Sequence, residues 1–326
     1  MLTWNIVSVP LICLGCRRRD GDVWDLHTIE REGATLRCGH CGQKYPVVDD
    51  IPIVVPDLAE HLARDGWAIA AHDLEPAAEA LLALAGPDDA PFARAAETTS
   101  IYMDAHWGDR ADPRPDGPGG GFGLAALLAK IAARAAAPVE RAVELGAGHG
   151  RAAAELARGA RVTLALDRSM APLRRGRRLL RGETVRYLRR TAGRHYREVT
   201  VLGISASVSW LCADALDPPL PPGSFERVAA LNVLDVVHDP GRLLDVAALL
   251  CAPGGEILLC SPYNWQSGHV GEAHRLGDAD PAAAVRARLG AAGFAIEDED
   301  ELSWTLRRDA RSAVVYRTHY LRARKA

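Results

Sequence analysis

The segment Val143-Glu144-Leu145-Gly146-Ala147-Gly148-His149-Gly150-Arg151 constrains the fold most: a short apolar run enters three alternate glycines and then a helix-forming stretch. Glycine tolerates the left-handed turn such a junction needs and lets a ligand approach the backbone closely. The spacing is G-x-G-x-G, not the G-x-G-x-x-G of dinucleotide binders, and a lone glycine motif is weak evidence. Context decides. Apolar runs predict strands at 140–144, 162–166, 208–212, 227–231 and 255–260, with helices near 122–136, 149–158, 169–181, 241–252 and 281–292. Such alternation implies an α/β fold with a parallel sheet covered on both faces. Two late runs, 294–299 and 314–321, have no long helix between them and read as a closing antiparallel hairpin.

Four further features agree with one nucleoside-bearing cofactor. Asp167 ends the second strand, where a carboxylate can accept both hydroxyls of a ribose. Asp214, followed by Ala215, comes after the third strand and can accept from an adenine amino group. Glu144 can pair with an amino-acid ammonium, and Pro253-Gly254-Gly255 turns into the fifth strand. Neither a Lys nor a Ser/Thr cradle for a triphosphate follows the glycines. Taken together, these residues resemble the class I S-adenosylmethionine-dependent methyltransferases over about residues 100–326. The resemblance implies a Rossmann-like seven-stranded sheet with the last strand antiparallel. It also implies S-adenosylmethionine held by Glu144, Gly146, Gly148, Gly150, Asp167, Asp214, Ala215 and Asn232. An NAD-type Rossmann enzyme shares the glycines and Asp167 but does not explain Asp214, the Pro-Gly-Gly turn or the hairpin.

Ligands of open α/β sheets bind beyond the carboxyl ends of the strands. The fourth strand ends in Leu231-Asn232-Val-Leu-Asp235-Val-Val-His238 and the fifth in Cys260-Ser261-Pro262-Tyr263-Asn264-Trp265. Methyl transfer needs in-line alignment, and a base only where the acceptor must lose a proton first. Asp235, His238 and Tyr263 are the candidate catalytic groups, although His238 also fits a surface histidine at a helix start. Tyr263 and Trp265 could wall an acceptor pocket. The pair N-x-x-D and S-P-Y-x-W, an extra segment at 182–207 and Trp304–Arg311 resemble the mercaptohistidine N-methyltransferase branch, which implies a nitrogen acceptor. Upstream, Tyr102–Asp109 resembles the N-terminal lid of many such enzymes. His149 reads as the variable position of the glycine loop.

The N-terminus carries a second signal. Cys13-Leu-Gly-Cys16 and Cys38-Gly-His-Cys41 are separated by 21 residues. Two C-x2-C knuckles can close a tetrahedral zinc site that leaves no position for substrate, hence a structural one. A segment this short buries too little apolar surface to fold alone, so metal would supply folding free energy. With Cys41-Gly-Gln-Lys-Tyr-Pro-Val-Val-Asp-Asp-Ile-Pro-Ile, the pattern resembles the small zinc-ribbon proteins that partner tRNA and rRNA methyltransferases and the ribbons fused to the front of some bacterial methyltransferases. Cys212, Cys251 and Cys260 read as small packing residues.

The expected organisation is a zinc ribbon at 1–57, a helical connector and lid at 58–121 with a Pro/Gly loop at 112–121, and a class I methyltransferase domain at 122–326. Hydrophobic residues make up 48%, which excludes a mostly disordered chain. Apolar runs are too short for a membrane helix and there is no secretory signal pattern, so the expectation is a cytoplasmic protein. The net charge of −3 conceals a stretch, 168–197, with eleven arginines and one acid. That stretch fits either RNA or a solvated, salt-bridged face, and the second is favoured because aromatic residues are scarce in it. The reading is therefore a methyltransferase acting on a nitrogen of a small molecule or peptide. The alternatives are an RNA base methyltransferase gripping its substrate with the ribbon and the arginines, and a non-catalytic scaffold.

Overall fold

A computed structural model of the protein describes residues 9–21, 23–70, 74–85, 87–114, 123–277 and 279–326. Most of the expected loop at 112–121 and the first residue of the expected helix at 122 lie outside them. The chain opens with short strands: β1 (Arg18–Asp20), β2 (Val23–Asp25), β3 (Ile29–Glu32), β4 (Thr35–Cys38), β5 (Lys44–Val48) and β6 (Ile51–Pro52). β1 and β2 form a hairpin, and β3–β4–β5–β6 an antiparallel sheet. Three helices follow, α1 (Leu58–Ala70), α2 (Pro76–Leu84) and α3 (Pro91–Trp107), then the short strand β7 (Ala111–Asp112).

The second half alternates as the sequence predicts: α4 (Ala125–Ala133), β8 (Val139–Leu145), α5 (Arg151–Leu156), β9 (Ala160–Asp167), α6 (Met170–Leu180), then a hairpin β10 (Thr184–Ala192) and β11 (His195–Leu202). It continues with β12 (Ser209–Cys212), β13 (Phe225–Leu231), α7 (Pro240–Leu250), β14 (Cys251–Ser261), α8 (Pro281–Ala291), β15 (Phe294–Arg307) and β16 (Ala313–Lys325). The seven-stranded sheet has the order β12-β9-β8-β13-β14-β16-β15. Its first five strands are parallel and β16 runs antiparallel between β14 and β15. This is the expected Rossmann-like architecture with a reversed last strand.

Local chemistry explains the boundaries. Asp239 and Asp280 cap α7 and α8, accepting from Arg242 N and Ala283 N at 2.9 Å, and proline follows each at the first helical position. β8 and β13 are central and buried on both faces, hence their near-continuous apolar character. The extra segment at 182–207 is the β10–β11 hairpin, whose outer strand pairs with β7.

The ribbon region joins the sheet at its edge. Ile53 pairs in parallel with Cys212, Val54 N donates to Cys212 O at 2.9 Å, and Ile12 N donates to Pro219 O at 2.9 Å. Leu11, Leu36, Tyr45 and Val54 share one apolar core with Ala215, Leu216 and Leu220. The exposed edge of β12 is thereby covered.

Candidate functional site

The turn after β8 carries Gly146, Gly148 and Gly150 at φ of +78°, +51° and +72°. A β-carbon on Gly146 would fall 2.5 Å from Val233 Cγ2, and one on Gly150 2.3 Å from the Trp210 ring. Packing forbids a side chain at both. At Gly148 the nearest atom is 3.5 Å away, on His106, so this backbone is the one a ligand can approach. The turn is fastened to the end of β9: Gly146 N and Ala147 N both donate to Leu166 O at 2.8 Å, and Gly148 N donates to Asp167 Oδ2 at 2.8 Å. Asp167 Oδ1 accepts from Ser169 N at 2.8 Å.

A cavity of about 1160 Å³ opens over this turn. Glu144, Gly146, Gly148, Asp167, Asn232 and Val233 form its floor, and Tyr102 and His106 of α3 face them. Several buried polar atoms here lack a hydrogen-bond partner: Glu144 Oε2, Asn232 Oδ1, His106 Nδ1 and His149 Nε2. Buried polar groups are ordinarily paired, so this concentration fits a polar ligand that completes the set. Burial pushes the Glu144 carboxyl well up and raises Asp167 too, although backbone donors pull the other way in both. Burial holds His106 near 4, and His149 well below its ordinary value, so both imidazoles are neutral. Their rings meet edge to face at 5.7 Å. Asn232 reaches the floor from a left-handed backbone (φ +53°), fixed by its N–H donating to Cys260 O at 2.7 Å.

Five of the expected cofactor residues thus share one wall: Glu144, Gly146, Gly148, Asp167 and Asn232. The others lie elsewhere. Gly150 sits behind the turn against Trp210. Asp214 accepts from Leu216 N at 2.9 Å, and with Ala215 it lies on the loop that packs on the ribbon, outside the cavity lining. Asp235 is buried beside the floor, with Oδ1 unpartnered. Burial lifts its carboxyl to about 6, opposed by hydrogen bonds that include Asn264 N–H and the Ser261 hydroxyl. His238 is exposed and away from the cavity. The Tyr263 hydroxyl is 2.7 Å from His319 Nδ1, whose Nε2 is 2.6 Å from Glu299 Oε1, so the phenol faces the β16 side rather than the cavity.

The sequence reading treats His149 as a variable loop position, but it lies on the cavity wall. Tyr102 and His106 are four residues apart on α3 and so share a face. The same segment also packs. Trp107 is buried, donates Nε1–H to His149 O at 3.1 Å and lies under Arg151, which is paired with Asp109. Trp67 of α1, Phe92 of α3 and Leu74 from the connection between α1 and α2 also line the cavity; nothing in their sequence context marked them.

At the N-terminus the Sγ atoms of Cys13, Cys16, Cys38 and Cys41 all lie within 4.8 Å of one another, with Cys13–Cys41 and Cys16–Cys38 at 3.6 Å. Four sulfurs at ~2.3 Å from a tetrahedral zinc stand about 3.8 Å apart, so the set fits that ion. The Tyr45 hydroxyl accepts from Leu14 N (3.1 Å) and Gly15 N (3.4 Å), leaving its proton to point at Cys13 Sγ, 3.4 Å away. Such outer contacts orient metal ligands.

The arginine-dense stretch is paired largely within the chain. Arg174 and Arg177 meet Asp49 and Asp50, Arg186 meets Glu75, and Arg190 meets Glu97. Arg189 is buried against Asp104.

A glycine turn, an acid closing the second strand and a 3-2-1-4-5-7-6 sheet define a class I cofactor-binding site. Residues 143–259 match the family model described as a methyltransferase domain, and the chain accordingly carries a methyltransferase domain with the class I fold. Similar solved structures include the N-methyltransferase NodS from Bradyrhizobium japonicum WM9 in complex with S-adenosyl-L-homocysteine (16% identity, 70% of this chain and 96% of that one, TM-score 0.45). Magnesium protoporphyrin IX methyltransferase from Synechocystis PCC 6803 with bound SAM is another (15% identity, 62% and 78%, TM-score 0.41). The YcgJ protein from Bacillus subtilis is a third (12% identity, 61% and 97%, TM-score 0.44). Among the described residues no helix is long and apolar enough to cross a membrane.

Proposed function

We propose that the protein transfers a methyl group to a nitrogen of a small molecule or peptide. The observation that carries this reading is the cavity itself: the space beside Gly148 is walled by the chain's own helices α1, α3 and α6, a compartment suited to a small acceptor. The pairing of Arg174, Arg177, Arg186, Arg189 and Arg190 with acids of residues 49–104 speaks against RNA, because those cations are already neutralised.

S-adenosylmethionine supplies an electrophilic methyl group. Glu144 and Asn232 would take its polar groups through their unpartnered oxygens, and Asp167 its ribose hydroxyls. Gly148 leaves room for close approach, and the neutral His106 and Tyr102 line the opposite side. Asp235 is the candidate for taking a proton from the acceptor: it lies just behind the lining residues Asn232, Val233 and Val236 rather than in the lining itself, and burial raises its carboxyl to about 6. In the ribbon, Cys13, Cys16, Cys38 and Cys41 would hold one structural zinc.

The test is methyl-label transfer from S-adenosylmethionine into separated metabolite, peptide and RNA pools. Label in the metabolite or peptide pool, on nitrogen, is the expected result. Salt-sensitive label in RNA would refute the acceptor class. Failure to bind S-adenosylmethionine by calorimetry would leave only the scaffold role. Metal analysis should find one zinc per chain; four titratable thiols without metal would refute the ribbon site.

A further inference from the structure

We infer that the acceptor has an extended apolar portion, an alkyl or fused-ring body, which lies along the α1–α2 side of the cavity while its nucleophile reaches Gly148. This rests on the methyltransferase reading and specifies its substrate. The cavity of about 1160 Å³ exceeds the ~300–1,000 Å³ of typical single-ligand sites. It continues from the donor floor to Trp67, Leu74 and Phe92.

Apolar exposure also concentrates in this stretch of sequence. Nine large apolar residues are exposed among the described residues, and six of them fall between Leu62 and Leu84: Leu62, Trp67, Leu74, Leu81, Leu82 and Leu84. Two of the six, Trp67 and Leu74, 55% and 44% exposed, lie on the cavity wall. Scattered exposed leucines need no explanation, but exposed apolar side chains that line a cavity, as Trp67 and Leu74 do, mark a binding surface. The charged groups nearby do not call for a charged ligand. Arg174 and Arg177 are paired with Asp49 and Asp50, and Arg175 donates to the Thr99 hydroxyl at 3.3 Å. On the α1–α2 side the wall is formed by Trp67, Leu74 and Phe92 with the exposed Arg94 beside them, whereas unpartnered polar atoms such as Glu144 Oε2 and Asn232 Oδ1 lie on the donor floor. Continuity with the donor floor selects the occupant, because a molecule seated on Trp67 and Leu74 extends into the compartment where the methyl group is delivered.

The experiment uses the full chain and the uncharged probes n-hexanol, n-octanol and n-decanol. Binding is followed by calorimetry in the presence of S-adenosyl-L-homocysteine, whose own binding is measured in parallel. Affinity should rise about fifteenfold for each added pair of methylenes, the fold-change corresponding to ~0.8 kcal/mol per buried methylene. Trp67→Asp and Leu74→Asp should each flatten that gradient and leave S-adenosyl-L-homocysteine binding unchanged. Affinity independent of chain length, or a gradient that survives both substitutions, overturns the inference. So does a concentration-dependent dimer lost in Trp67→Asp without alkanol binding, which would make the patch a contact between two copies. Co-sedimentation with phosphatidylcholine–phosphatidylglycerol vesicles without alkanol binding would assign it to a lipid surface and overturn it as well. A chain-length gradient without S-adenosyl-L-homocysteine binding would support the apolar site and count against the donor reading alone.

Discussion

Removing the carboxylate of Asp104 tests how the cavity wall is held. Asp104 of α3 and Arg189 of β10 are each only 3% exposed at their side chains. Arg189 donates Nε–H to Asp104 Oδ1 at 2.8 Å and to Oδ2 at 3.0 Å, and the Tyr187 hydroxyl also donates to Oδ1. In Asp104→Ala the guanidinium would stay buried against Pro113 O (2.6 Å) and the Tyr187 oxygen (3.0 Å), with no carboxylate to balance it. Breaking a buried pair from one side costs about 3–5 kcal/mol, a large fraction of the ~5–15 kcal/mol that keeps a domain folded. Replacing both partners by apolar groups removes the Arg189 charge and is often close to neutral, although the buried Arg307, whose Nε stands 4.0 Å from Asp104 Oδ2, still loses that carboxylate. Urea unfolding of Asp104→Ala, Arg189→Met and the double variant should therefore give two costly single changes and a much cheaper double. Tyr102 and His106 ride on α3, so cofactor binding by calorimetry should weaken in Asp104→Ala and largely recover in the double. A loss below 1 kcal/mol in Asp104→Ala, or a double variant as unstable as the sum of the singles, would refute the reasoning.

Three further outcomes are expected. Gly150→Ala should destabilise the fold by about 2–4 kcal/mol, from left-handed strain plus collision with Trp210; Gly148→Ala should carry only the ~1–2 kcal/mol strain yet lose donor affinity, as thermal unfolding and calorimetry together would show. His106 falls from 6.5 to about 4 on burial, so its contribution to stability is complete above pH 6.5 and is lost as pH falls through about 4. The loss amounts to about 3 kcal/mol, and His106→Asn should flatten unfolding free energy across that window. Asp235 has the opposite sign: burial raises it to about 6, so if it accepts the proton kcat should climb with pH to a plateau above about 6, and Asp235→Asn should remove that limb.

The sheet was legible because its signals are local. Apolar runs marked β8, β9, β12, β13 and β14, and the helices predicted at 241–252 and 281–292 correspond to α7 and α8, whose Asp-Pro starts went unused as a signal. The β10–β11 hairpin was not assigned, because arginines obscure its alternation and their partners lie far away in sequence. Arg190, for instance, is matched by Glu97 and Arg186 by Glu75. The floor of the site was legible for the same reason as the sheet: Glu144, Asp167 and Asn232 follow from strand ends. The facing wall depends on which side of α3 turns inward, which the Ala-rich stretch before it does not announce. Asp214 shows the converse. Its position after β12 is as expected, but the loop it belongs to packs with Leu11 and Leu36 of the ribbon region.

That packing and the arginine pairs bear on one question, how the N-terminal β-rich region and helices α1–α3 are held to the seven-stranded sheet and its hairpin. Arg174, Arg177, Arg186 and Arg190 reach back to Asp49, Asp50, Glu75 and Glu97, so each of the first three N-terminal layers is touched by the same strip of sequence. Partly exposed pairs contribute only about 0–1 kcal/mol each, so they do not hold the halves together by strength. Their value lies in exclusion: sliding α2 or α3 along the hairpin would set arginine against arginine. The free energy of attachment comes instead from the shared apolar core and the covered edge of β12. On this division of labour, charge reversal at Arg186 should barely change stability, whereas opening the ribbon core should loosen the loop that bears Asp214.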